Sequence, residues 1–82
     1  MSRKHHYLKC EVGFFAQTLM GNKSFEVRKN DRNYTIGDMV YLQESIEGVK
    51  TGRELDPKEI IYILEGGMFG IDKDYCVIQL GI

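Results

Sequence analysis

The sequence predicts a mixed α+β fold that is mainly β, a small pseudo-barrel or strongly curved sheet of about five strands with one helix near the N-terminus. Helical spacing of apolar residues is confined to residues 12–20, whereas runs rich in β-branched and aromatic residues dominate the chain after Gly21. The 82 residues contain one proline, no repeat and no linker-like stretch, which leaves room for a single domain over residues 1–82.

Residues 6–11 read as the first strand. Val12, Phe15, Ala16, Leu19 and Met20 then follow the i, i+3, i+4, i+7, i+8 pattern of a helix packed by one face, and Gly21-Asn22 is a suitable stop. Over residues 24–29 an extended chain would send Phe25 and Val27 to a packed face and Ser24, Glu26 and Arg28 to the other. Residues 30–33 form a polar turn, residues 39–44 a further strand, and residues 47–53 a break in which Thr51-Gly52-Arg53 reads as a hairpin turn. Residues 59–65 carry too many β-branched and aromatic side chains for a preferred helix, and Gly66-Gly67 ends them. Met68-Phe69 is expected to fold back as a loop tip, and residues 75–80 close the sheet.

Composition narrows the function classes. A formal net charge of −1 argues against coating nucleic acid through bulk charge, so any polyanion site must be local. No apolar stretch is long enough to span a bilayer, and the polar start Met1-Ser2-Arg3-Lys4-His5-His6 lacks the hydrophobic segment of a secretion signal, which predicts a cytoplasmic protein without membrane contact. Cys10 and Cys76 lie in strand-like patterns and read as reduced core thiols. No paired ligand spacing points to a metal, and no cofactor fingerprint appears. His6 reads as a structural or exposed histidine, and tyrosines such as Tyr34, Tyr41, Tyr62 and Tyr75 read as half-buried sheet residues before they read as base-stacking platforms.

The densest chemistry lies in the run from Gly21 to Arg32. Glu26 and Arg28 on one strand face would lie about 7 Å apart, within reach of a shared ligand or of each other. Lys23 sits at the strand entrance, where its long stem can turn inward. Arg28, Lys29 and Arg32 suit charge-assisted contacts to phosphates, while Asn30 and Asp31 offer hydrogen bonds to sugars, bases or their own turn. Thr51 and Arg53 could add a second wall to the same site. The set is consistent with ligand recognition rather than with a complete catalytic set, and Glu26 also reads as the partner of an internal ion pair with Arg28 or Lys23.

The spacing Gly21-x-Lys23-x-x-Glu26-x-Arg28 resembles the signature of the ASCH domain of the PUA-like superfamily. The wider pattern is similar to the DUF3850 family: His6-x-Leu8-Lys9, the run continuing through Lys29-Asn30-Asp31-Arg32, Gly37-Asp38, Glu44, Thr51-Gly52-Arg53, the apolar run at 60–64 and Gly70. This resemblance implies a PUA-like pseudo-barrel whose cleft between helix and sheet holds the signature residues, and an RNA or nucleotide-like ligand. It also admits a small hydrolase acting on a modified nucleoside or RNA, as in ASCH-like amidohydrolases. A third reading, from the residues themselves, is a protein-interaction domain that uses the barrel edge or the Met68-Phe69 tip and whose cleft is structural. The amidohydrolase pattern has a threonine where this chain has Glu26, which removes that hydroxyl nucleophile.

Overall fold

A computed structural model of the protein describes residues 2–81. Strand β1 (His5–Glu11) runs directly into helix α1 (Val12–Leu19), followed by β2 (Phe25–Lys29), β3 (Met39–Ile46), β4 (Val49–Glu54), β5 (Lys58–Glu65) and β6 (Tyr75–Leu80). The strands follow the order β1-β3-β5-β6-β2, with β4 attached to β3. β1 and β3 are parallel, joined by the crossover through α1 and β2, and the other pairings are antiparallel. The fold is therefore mainly β with one short helix, as the sequence predicts. Its sixth strand is β4, which falls in the expected break at 47–53.

β4 escapes sequence reading because all six of its residues are exposed and no alternation marks it. Its register on β3 shifts between Gln43 and Ser45, so extra β4 residues stand opposite Glu44. Gly52 supplies the left-handed conformation, φ 98°, that this bulge requires. The expected Thr51-Gly52-Arg53 turn is thus a bulged strand. The reversal occurs at Glu47-Gly48, where the Glu11 carboxylate accepts the amides of both residues at 2.8 and 3.0 Å.

The helix departs further from expectation. Phe15 and Thr18 are buried, while Val12, Leu19 and Met20 of the predicted stripe are exposed. The helix packs mainly on β1 and β3, and eight residues are too short for a full apolar stripe to find partners there. Its end follows the pattern read from Gly21-Asn22: the Gly21 amide bonds the Thr18 carbonyl, the Asn22 amide bonds the Gln17 carbonyl, and Gly21 has φ 83°.

Leu8, Phe15, Val40, Leu42, Ile60, Ile78 and Leu80 form the centre of the core, with Cys10, Cys76 and Tyr34 against them. Burying side chains of this size contributes roughly 1.5–3 kcal/mol each, so the core outweighs the exposed ion pairs in holding the fold. The Met68-Phe69 tip does not fold back on it: Phe69 is 84% exposed.

The two ends of the strand path, β1 and β2, do not pair. Side chains bridge them instead, because Arg28 Nη2 donates to the Lys9 carbonyl at 2.6 Å and Arg32 Nη1 to the Tyr7 carbonyl at 3.1 Å. The result is a pseudo-barrel with an arginine-laced seam rather than a closed barrel.

A second tether lies at the start of β1. The buried Asp38 carboxylate accepts the amides of Lys4 at 3.1 Å and Thr35 at 3.0 Å and meets His6 Nε2 at 2.9 Å. His6 is buried there, its ring 4.7 Å from that of Tyr34. Burial pushes the Asp38 carboxyl up, but the bonds from His6, Lys4 and Thr35 and the Lys4 charge prevail and hold it below its ordinary 3.8. A carboxylate depressed on folding stabilises the protein above its unfolded value, and that contribution disappears as pH falls through the folded one. Asp38→Asn should therefore lower stability at pH 7 by about 2 kcal/mol and flatten the acid limb below pH ~4 relative to wild type. Urea unfolding across pH 2–7 measures both, and parallel limbs for the two proteins would refute the assignment.

Candidate functional site

The helix stop places Lys23 at the entrance of β2, where the Asn22 and Lys23 amides both reach the Gln17 carbonyl. From there the Lys23 side chain turns inward. Its Nζ donates to the Phe25 carbonyl at 2.6 Å and to Glu26 Oε2 at 2.5 Å, and it lies 5.1 Å from the Phe25 ring centre and 5.9 Å from that of Phe14. Glu26 Oε1 accepts two bonds from Arg28, from Nε at 3.1 Å and Nη2 at 2.8 Å. Glu26 is only 4% exposed, so both oxygens of an interior carboxylate are engaged by cations.

This arrangement reverses the expected faces of β2. Glu26 points inward and Arg28 is half-buried, whereas Phe25 and Val27 lie outward and exposed. Tertiary ion pairing overrides the apolar preference, because a carboxylate bracketed by two cations can be buried while Phe25 and Val27 remain at the rim of a cavity. That cavity has a volume of about 440 Å³. Lys23, Glu26 and Arg28 supply its polar wall, Phe14, Phe25 and Val27 its apolar rim, and Lys9, Cys10 and Glu11 the side formed by β1.

The remaining candidate residues divide among other places. Thr51 Oγ1 donates to Glu44 Oε1 at 2.7 Å and Arg53 Nη1 to Glu44 Oε2 at 3.2 Å, with the Arg53 guanidinium 5.4 Å from the Phe15 ring centre. These two do not line the cleft; the β4 bulge aims them at another buried carboxylate. Asn30 Nδ2 bonds Glu65 at 2.9 Å, its amide bonds the Asp74 carbonyl, and Arg32 holds the seam. Lys29 and Asp31 are exposed. The basic cluster read from the sequence is thus dispersed, with Arg28 alone of its three cations in the cleft. Phe14, Lys9 and Cys10 are cleft residues that the sequence reading did not select. Phe14 had a signal: it is an aromatic residue off the predicted helical stripe and is 62% exposed.

Cys10 and Cys76 are buried and free. Burial, followed by the Glu26 charge, pushes the Cys10 thiol up against the opposing Lys23 and Arg28 charges, and burial with Glu65 and Asp31 raises Cys76. Both thiols should resist dithionitrobenzoate at pH 8 in native protein and react rapidly in denaturant. Fast stoichiometric labelling of the folded protein would contradict this burial. The ion cluster has its own test. Glu26→Ala leaves Lys23 and Arg28 uncompensated and should cost about 3 kcal/mol in denaturant unfolding, with Glu26→Gln costing less because the amide keeps an acceptor. Equal stability of all three proteins would show the pair to be energetically idle.

Fold and site together define a small β-rich pseudo-barrel domain with an ion-paired, aromatic-rimmed cleft at its helical end. The chain belongs to the family described as "Domain of unknown function (DUF3850)", which it matches over residues 5–81, a span that includes every strand, the helix and the whole cleft. It is also similar to the "Uncharacterized 12.9 kDa protein in GpA 3'region" of Escherichia phage P2, with 41% identity over 58 residues. Those residues are 71% of this chain and 53% of the phage protein, so the match spans about half the length of that relative.

Proposed function

We propose that the domain is an RNA- or nucleotide-binding module whose cleft receives one nucleotide. The carrying observation is the 440 Å³ cavity, which combines aromatic faces from Phe14 and Phe25 with cationic donors from Lys23 and Arg28. Its volume lies in the ordinary range of small-molecule sites. Among the described residues, Arg28 Nη1 and one Lys23 Nζ proton have no protein acceptor, so they are available to a ligand. Lys9, Lys23 and Arg28 face only Glu11 and Glu26 as lining carboxylates, which favours an anion with a flat apolar body. The likeness of the Gly21-to-Arg28 spacing to the ASCH signature, and through it to the PUA-like superfamily, supports the same ligand class.

The chemistry favours recognition over hydrolysis. Glu26 stands where the amidohydrolase-type threonine would be and already engages both cations, while the Cys10 thiol is held protonated. A cytoplasmic setting fits two buried free thiols.

Calorimetric titration of the folded protein with the four ribonucleoside monophosphates and a short single-stranded RNA, at low salt, tests the reading. Phe14→Ala and Phe25→Ala should each weaken binding about tenfold with little change in melting temperature. RNA affinity should fall with salt at a log-log slope near −0.7 per neutralised phosphate. Absence of binding by every nucleotide and by RNA would reject the proposal, and turnover of an acylated nucleoside lost in Lys23→Ala would replace it with the hydrolase.

A further inference from the structure

Outside the cleft, the outward face of β1 and β3 carries an arrangement that the core does not use. Tyr7 and Tyr41 face each other in the parallel register and stack with ring centres 4.4 Å apart and planes 13° apart. The Tyr41 hydroxyl also lies 3.0 Å from His5 Nδ1, on the same strand as Tyr7. Among the described residues Tyr41 is the only ring stacked on Tyr7, which remains 51% exposed. Since Tyr41 stands on the β3 side, the open face of Tyr7 is turned toward the unpaired edge of β1, above the seam that Arg32 spans.

Both signs of charge stand on this face. On the seam side are Arg32, which uses Nη1 on the Tyr7 carbonyl, and Lys9, with Asp31 and Glu11 as the neighbouring acids, Glu11 being engaged by the Ser45 hydroxyl and the Glu47 and Gly48 amides. On the far side Glu59 lies opposite Met39, Glu54 opposite Gln43 and Lys50 opposite Ser45. Lys9 follows Tyr7 by one full pleat, about 7 Å along β1, and also lines the cleft.

We propose that the open face of Tyr7, flanked by Arg32 and Lys9, is a second subsite for single-stranded nucleic acid: the base next to the one in the cleft stacks on Tyr7 and its phosphate meets Arg32. This assignment rests on the cleft reading for the path of the strand, while the stacking subsite stands on its own geometry. A cross-strand tyrosine pair by itself stabilises a sheet. The open ring face beside an exposed guanidinium and ammonium is what selects a strand of bases and phosphates.

The test compares uridine monophosphate with hexauridylate by calorimetry at low salt. The hexamer should bind at least tenfold tighter than the monophosphate. Tyr7→Ala should remove most of that gain and leave the monophosphate affinity unchanged, Tyr7→Phe should restore it, and Arg32→Ala should lower the hexamer's salt slope by about 0.7. Thermal melts establish that each variant is folded, and Tyr7→Phe carries the comparison should Tyr7→Ala melt early. Phe14→Ala, in contrast, should weaken both ligands. Hexamer binding that depends on Tyr7 without any monophosphate binding would uphold the subsite and reject the cleft. Equal affinity for monophosphate and hexamer, or a hexamer indifferent to Tyr7→Ala, would overturn the subsite and leave the tyrosine face to a protein partner.

Discussion

The buried carboxylate of Glu26 is the constraint on which the other features turn. An interior carboxylate without partners would be destabilising by several kcal/mol, so the strand that carries it can point inward only if cations arrive from both directions. Lys23 arrives because the helix ends at Gly21 and the next two amides turn back to Gln17. Arg28 arrives from two residues along the same strand. The cluster thereby decides which face of β2 is inside, and it leaves Phe25 and Val27 at the rim of a cavity instead of in the core.

Arg28 links that choice to the shape of the sheet. Its guanidinium grips Glu26 through Nε and Nη2 while Nη2 also reaches the Lys9 carbonyl across the seam. A lysine at this position has no planar fork with which to hold both partners at once, so the arginine is not exchangeable for charge alone. The same logic recurs on the other side of β1, where Glu44, the register partner of Cys10, is held by Thr51 and Arg53. There one cation, Arg53, and the Thr51 hydroxyl come from a bulged strand rather than from a helix stop. Two interior carboxylates are thus stabilised by two different backbone irregularities, and each irregularity contains a glycine with positive φ.

Much of this architecture is legible in the sequence because it depends on local rules. The helix stop at Gly21-Asn22, the strand over 75–80 and the β-branched run over 59–65 follow from turn chemistry and composition and appear where those rules put them. What is not legible depends on how side chains and strands meet in three dimensions, whether near or far in sequence. The inward turn of Glu26 contradicts the apolar alternation of Phe25 and Val27, and only the presence of Lys23 and Arg28 in three dimensions reverses it. β4 carries no apolar face to detect, and its pairing on β3 is set by the turn at Glu47-Gly48 that Glu11 braces from 36 and 37 residues away. The signature trio is found together in the cleft, whereas Thr51, Arg53, Asn30 and Arg32, which sequence groups with it by charge and hydrogen-bonding chemistry, have separate partners.

The open seam explains why so many polar and aromatic groups remain at the surface of so small a core. Hydrogen-bonded closure between β1 and β2 would satisfy the backbone edge and leave the arginines nothing to bridge. With the strands apart, the Tyr7 and Lys9 carbonyls need donors, and long side chains anchored on β2 and the loop after it supply them. A guanidinium has five N–H groups, so a bond to one carbonyl leaves further donors facing solvent. The device that holds the barrel edges together therefore also places partly satisfied cations beside the cleft and beside the open face of Tyr7. In this fold, structural closure and unfilled guanidinium donors come from the same two side chains, so a residue's structural bond is no argument against its meeting a ligand.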